Sequence, residues 1–352
     1  MRKHGMKRFV LLSLLALLPV LLVVAFYIIR DPFHVVKPYN GSISNTADTV
    51  QLTVNTGYFS TEAFKFFEPS RHYDSFILGS SLSGYYRIKD WVRHLPDSVS
   101  AFHFNASRET LFGIRNKLNY LVDNGVGIKH VLIVMEDEML KRQPIDLDVL
   151  FVQHPQTAPN VSWWEFHQLY FNAFRHPELV AYTLWPNAAT TRRALDKGYA
   201  TTDIPDRIEE LNEGYYGWGD SIIESDPKAF FTPEHLARYS QPMTLLPCPD
   251  KITPIVEGLL NDIANILISQ GTDYQIIIPP HYAWEPISSN DLYMLEKIFG
   301  QHRVHDYSHD AKMGTDLHYY YDDGHLIARE CARLMDSAYQ AVTLPSPFLV
   351  HH

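Results

Sequence analysis

The segment FILGSSLS, residues 76–83, decides how this chain is read. Three apolar residues, Phe76, Ile77 and Leu78, run into Gly79 and a serine-rich turn, the pattern of a short buried strand with an abrupt end. Working outward, four more short runs have the same character: SAFHF (100–104), HVLIVM (130–135), YQIII (274–278) and RVHDY (303–307). Helical periods separate them over Glu109 to Val122, Pro254 to Ser269, Ser288 to Phe299 and Leu326 to Ala341. This alternation predicts an α/β fold of three layers, with a mostly parallel five-stranded sheet between helices. Ligands of such sheets bind beyond the carboxyl ends of the strands.

Each predicted strand ends in polar residues on that edge. The first ends in Ser80 and Ser81, the second in Asn105-Ala106-Ser107, the third in Glu136 and Asp137, the fourth at His281. Asp322-Asp323-Gly324-His325 precedes the last helix. A serine on a tight turn, with Asp and His before a C-terminal helix, supplies a nucleophile, a base and an orienting carboxylate. Ser81, His325 and Asp322 are therefore the candidate catalytic residues. Ser80, Asp137 and His281 are expected to line the site.

The N-terminus differs in kind. Residues 9–29, FVLLSLLALLPVLLVVAFYII, carry no charge. As a helix they would be about 31 Å long, the thickness of a bilayer's hydrocarbon core. MRKHGMKR (1–8) ahead of them holds four of the chain's 30 Lys and Arg and no acid. That places this tip in the cytoplasm and the rest outside. Bulky Phe26, Tyr27, Ile28 and Ile29 end the run where a cleavage site would need small residues, so an uncleaved single-pass anchor is favoured over a signal peptide. Residues 30–70 read as a stalk and lead-in, 71–342 as the α/β domain and 343–352 as a tail. Within the domain, 141–249 is an aromatic- and Pro-rich, largely helical insertion with no clear strand run, placed where it could cap the crevice.

Composition narrows the partners. The 352 residues have a net charge of −10, and beyond the basic tip 26 cations face 40 acids, which argues against nucleic acid. Two cysteines exclude a disulfide-rich scaffold; Cys248 and Cys331 could pair in an oxidising compartment, though no feature brings them together. His302, His305 and His309 lack metal-ligand spacing, so neither metal nor cofactor is expected.

FILGSSLS resembles the first block of the SGNH (GDSL-like) hydrolase superfamily, and Asp322-x-x-His325 resembles its last block, as in membrane-anchored bacterial members. The resemblance covers roughly 74–140 and 250–340 and implies an SGNH/flavodoxin-like fold. It aligns Ser81 with the nucleophile, His325 with the base and Asp322 with its orienter, and it makes the Ser81 N–H an oxyanion donor, with Asn105 or Ser107 as further candidates. Ser80 stands where the family has Asp, and VMEDEML replaces its Gly-x-Asn-Asp block, setting Glu136 or Asp137 where an Asn donor is usual. Asp316-Leu317-His318 is similar to the Asp-x-His of SGNH-like proteins that acetylate exopolysaccharides, and offers Asp316 and His318 as an alternative pair.

The resemblance implies an extracytoplasmic esterase or O-acyltransferase (periplasmic or on the cell surface), anchored in a bacterial cytoplasmic membrane. Its expected partners are an acylated envelope glycan and a membrane protein that donates the acyl group. The alternatives are a catalytically degenerate SGNH domain that binds a glycan or an assembly partner, and a lipid or thioester hydrolase.

Overall fold

The computed structural model describes residues 2–42, 50–141, 147–158, 160–202, 206–215, 217–240, 249–283 and 286–343. The chain forms two compact units: one from 1–54 and 162–204, the other from 55–161 and 205–352.

The larger unit holds the five expected strands: β1 (Ser75–Gly79), β2 (Ala101–His103), β3 (His130–Val134), β4 (Asp273–Ile278) and β5 (Val304–Asp306). They form one sheet in the order β2-β1-β3-β4-β5, with every pairing parallel. β1 is buried along its whole length, and β3 and β4 at all but their first residue. Burial on both faces explains why these strands read as continuous apolar runs and not as alternating ones. Alternate side chains still serve different layers. Ile77, Leu132, Val134 and Ile277 share a core with Trp91, Leu334, Met335 and Ala338, so the final helix, Ala328–Thr343, covers that face. Helices Leu111–Asp123, Pro254–Ser269 and Ser289–Phe299 pack as neighbours and make a second helical layer.

The helix Thr56–Arg71 occupies sequence expected to be stalk. Asn55 caps it by accepting from the Tyr58 N–H, and Phe64 stacks on Phe104 with ring centroids 5.4 Å apart and also meets Phe76 and Phe102. These aromatic contacts join it to the sheet. The expected insertion is also divided, since 162–204 belongs to the smaller unit, while 141–161 and 205–249 on either side of it belong to the larger. It contains short strands that the sequence did not signal. Ala200–Thr201 pairs with Gln51–Leu52, and Asp206–Ile208 pairs with Glu213–Tyr215.

In the smaller unit the helix Arg2–Arg30 contains the whole apolar run. Among the described residues no helix is long and apolar enough to cross a membrane; the side chains at 2–5, 7, 8, 10, 11 and 14 lie outside them. Cys331 is a free, fully buried thiol, while Cys248 and the tail from 344 lie outside the described residues.

The switch point of this strand order lies between β1 and β3, and Gly79 stands there against Val134. A β-carbon on Gly79 would come within 2.7 Å of Ser83 Cβ and 2.9 Å of the Val134 carbonyl oxygen. Both neighbours are held by the sheet or the turn. Gly79→Ala is expected to cost about 1–3 kcal/mol through overpacking, read as a lower urea midpoint with unchanged m for the full chain in detergent.

Candidate active site

Ser81 opens a single 3-10 turn, Ser81–Tyr85, directly after β1. Ser80 ties that turn to the strand: its Oγ accepts from the Leu82 N–H at 3.2 Å, and its carbonyl accepts from the Ser83 N–H at 3.0 Å and the Ser83 hydroxyl at 2.7 Å. Because the Ser83 hydroxyl donates there, His103 Nε2–H must be the donor in its 3.0 Å contact with Ser83 Oγ. Burial, assisted by the Lys117 charge, lowers the His103 pKa to about 3, so this imidazole is a neutral structural group.

The opposite wall is the turn 322–325. It is closed by the Tyr321 N–H donating to the His325 carbonyl at 2.7 Å and by the bridge between Tyr320 and Leu326. Asp322 Oδ1 accepts from the backbone N–H groups of Gly324 and His325, both at 2.8 Å, and Asp322 Oδ2 accepts from His325 Nδ1–H at 2.8 Å. His325 Nε2 then lies 3.2 Å from Ser81 Oγ, across 244 residues of sequence. Nucleophile, base and orienter stand in hydrogen-bonding sequence, with the imidazole in the tautomer that accepts a proton from serine.

The electrostatics suit those roles. Burial raises the Asp322 pKa, but the His325 imidazole and two backbone N–H groups outweigh it and hold the carboxyl below its ordinary value. Burial lowers the His325 pKa, but the Asp322 hydrogen bond and charge, aided by Glu136 and Asp323, carry it above 6.5. His281, after β4, is shifted down by burial and so stays neutral. Its ring packs against Gly324, where a β-carbon would sit 3.3 Å from His281 Cε1. Tyr85 flanks the pair, its partly buried ring 5.6 Å from that of His325 and 4.6 Å from that of Tyr321.

The remaining sequence candidates separate. Among the described residues nothing accepts from the Ser81 N–H, which leaves it available to an oxyanion. Asn105 lies opposite Gly79, one residue before the turn, because the Ala106 N–H donates to the Gly79 carbonyl at 3.2 Å and so extends the Ile77–His103 register. Asn105 Oδ1 accepts from Asn212 Nδ2 at 3.3 Å, which orients its own Nδ2 as a donor without a partner among the described residues. Ser107 drops out as a backbone donor: its N–H goes to Thr56 Oγ1 at 2.6 Å, and the two hydroxyls are 2.9 Å apart. Asp137 is ion-paired with Lys251, while Glu136 is buried with its charge acting on His325 and His281. Asp316 and His318 pair with each other at 2.6 Å, with the ring of His318 on Phe231, and it is His325 that reaches Ser81. No group of three or more His, Cys, Asp or Glu able to hold a metal occurs among the described residues.

Asn212 was missed from the sequence. It lies in the former insertion with left-handed backbone (φ 54°), and its Nδ2 also meets the His103 carbonyl at 2.7 Å and Ser60 Oγ at 3.0 Å. An Asn in left-handed geometry between two short strands is a weak signal. Its target on β2 is visible only in the folded chain. No known family model matches this chain, and no curated protein matches it.

Two outcomes are expected with the full-length protein and a serine-reactive phosphonate. Because His325 must be neutral to take the Ser81 proton, labelling should rise with pH through a midpoint above 6.5. Asp322→Asn should move that midpoint down and slow labelling by about 10⁴-fold. Asn105→Ala should slow acyl transfer from an ester by about 10²–10³-fold with little change in KM; an unchanged rate would remove Asn105 from the site.

Proposed function

We propose that the protein is an SGNH-like serine esterase or O-acyltransferase, anchored outside a bacterial cytoplasmic membrane and acting on an acylated envelope glycan. The observation that carries this reading is the chain of contacts from Ser81 through His325 to Asp322. In the proposed reaction His325 Nε2 takes the Ser81 proton as Oγ attacks the ester carbonyl. The tetrahedral oxyanion is held by the Ser81 N–H and Asn105 Nδ2. Collapse breaks the ester C–O bond, and the imidazolium returns its proton to the leaving sugar oxygen. Water or a second sugar hydroxyl, deprotonated by the same imidazole, then takes the acyl group from serine. Esterase and transferase differ only in that acceptor.

Support for a glycan comes from Tyr85, whose flat ring beside His325 offers a sugar a stacking surface. Support for the anchor comes from 9–29: the helix is continuous through this run, and Phe9, Leu12, Leu15, Leu21, Leu22 and Ile29 are each more than half exposed. Surface of that kind suits lipid and not water. The basic tip then faces the cytoplasm.

The test pairs turnover with covalent capture. Purified full-length protein should hydrolyse a 4-nitrophenyl acetate probe and take phosphonate on Ser81; Ser81→Ala and His325→Ala should each lose about 10³-fold or more of the turnover. A wild-type protein with neither turnover nor label would leave a glycan- or partner-binding module in place of an enzyme.

A further inference from the structure

Within the smaller unit, the end of the N-terminal helix is fixed by an unusual turn. Asp31, with φ 43°, donates its N–H to the Tyr27 carbonyl at 2.8 Å and is almost fully buried. Its carboxylate accepts from the N–H groups of Val35, Val36 and Lys37 at 2.9, 3.1 and 2.8 Å. Lys37 Nζ donates back to the Ile29 carbonyl at 2.7 Å. The helix therefore ends in a rigid cap and not in a loose stalk.

Helix Trp163–Phe174 packs against that end in the opposite direction. Phe174 meets Phe26 and Tyr27, with centroids 5.9 and 5.2 Å apart, and Phe171 meets Tyr27 at 5.4 Å. One turn earlier, Tyr170 meets Phe33 at 5.1 Å. The Phe174 end is thus the one nearer the apolar run. Phe26 precedes Arg30 by four residues, so at 1.5 Å per residue Phe174 sits about 6 Å inside the level of Arg30. Helix Pro177–Leu184 follows, and Arg30 Nη2 donates to the Thr183 carbonyl at 3.2 Å. Leu184 and Trp185 therefore lie level with the end of the apolar run. Trp185 is 68% exposed and Leu184 37%, beside a helix whose Ile28 and Ile29 are exposed as well.

We propose that the segment Phe174–Trp185 is seated in the membrane–water interface, with Leu184 and Trp185 among the lipid headgroups; this rests on the reading of 9–29 as a bilayer span. Indole is the side chain that best matches that layer, apolar over its rings with one N–H for a polar partner. Its depth is set by its link to Arg30, the residue that ends the apolar run, and exposed Arg175 beside Phe174 adds a cation suited to lipid phosphate. Continuity with the exposed face of Ile28 and Ile29 favours lipid over a separate protein partner. The first part of the aromatic insertion then acts as a collar on the anchor.

The test uses the full chain reconstituted in phosphatidylcholine–phosphatidylglycerol vesicles. Flotation after an alkaline carbonate wash reports the span, and tryptophan quenching reports the collar. Subtracting the emission of Trp185→Phe from wild type isolates Trp185. Trp164→Phe isolates a reference residue, 76% exposed, at the far end of its helix. The Trp185 component is expected to be blue-shifted and quenched by lipids brominated near the headgroup, and shielded from aqueous iodide. The Trp164 component is expected to be quenched by iodide. Vesicle-bound protein whose Trp185 is quenched by iodide, or shielded from both quenchers by a second copy, overturns the collar and leaves the span. Protein that does not float overturns both.

Discussion

At Gly79 the first strand passes so close to the Val134 carbonyl and to Ser83 that no side chain fits, and the geometry of the candidate site follows from that approach. A strand stopped there must turn at once. The turn it makes is the one in which Ser80 spends its side chain and carbonyl on Leu82 and Ser83. Ser81 is left at the opening of a helical turn with its N–H unspent and its hydroxyl exposed. His103 beneath and Asn105 alongside are placed by the same sheet register, since Ile77 pairs with His103 and Gly79 receives the Ala106 N–H. Ser81 is therefore positioned by backbone and buried polar groups, the kind of support that holds a site to tight tolerances.

What the sequence reveals of this arrangement is governed by range. Strands buried on both faces, β1, β3 and β4 above all, announce themselves as apolar runs, and the five strand runs are legible in the sequence, as are Pro254–Ser269 and the turn before the last helix. The helix Thr56–Arg71 was not, because its apolar periodicity is short and contains Ser60, Thr61 and Pro69, so that only Phe64 packing among Phe76, Phe102 and Phe104 shows its purpose. Two Asp/His pairs lie within ten residues of sequence, Asp322 with His325 as the first choice and Asp316 with His318 as the alternative, and one dimension leaves both open. In three dimensions backbone closure between Tyr321 and His325 aims His325 at Ser81. Asn212 was invisible for the same reason, since its three acceptors lie more than a hundred residues away in sequence.

The segment 141–249, which composition alone presents as one aromatic block, serves two bodies. Its first half lends Phe171 and Phe174 to the end of the N-terminal helix. Its second half reaches the edge of the candidate site, where Asp220 pairs with Arg87 and accepts from the Tyr321 hydroxyl, and Tyr321 in turn closes the turn that carries His325. Aromatic richness thus reflects packing duties of different kinds, and the ring that meets His325 is Tyr85, outside the segment altogether.

The carboxylate at the end of β3 poses the sharpest chemical question. An Asn is usual there in the SGNH superfamily proposed for this chain, and a charge in its place would oppose a growing oxyanion. Glu136 is buried, however, and its charge is expressed on His325 and His281. A negative charge beside His325 stabilises the imidazolium that forms as Ser81 loses its proton, which adds to the effect of Asp322. The oxyanion can then be served from the other side of β1, where the sheet sets Asn105, oriented by Asn212, beside the turn. In this geometry the anion-stabilising donor and the cation-stabilising carboxylate flank the nucleophile from neighbouring strands, β2 and β3. Exchanging an Asn for Glu136 shifts the donor by two strand positions and leaves the charge flow of the proposed reaction intact.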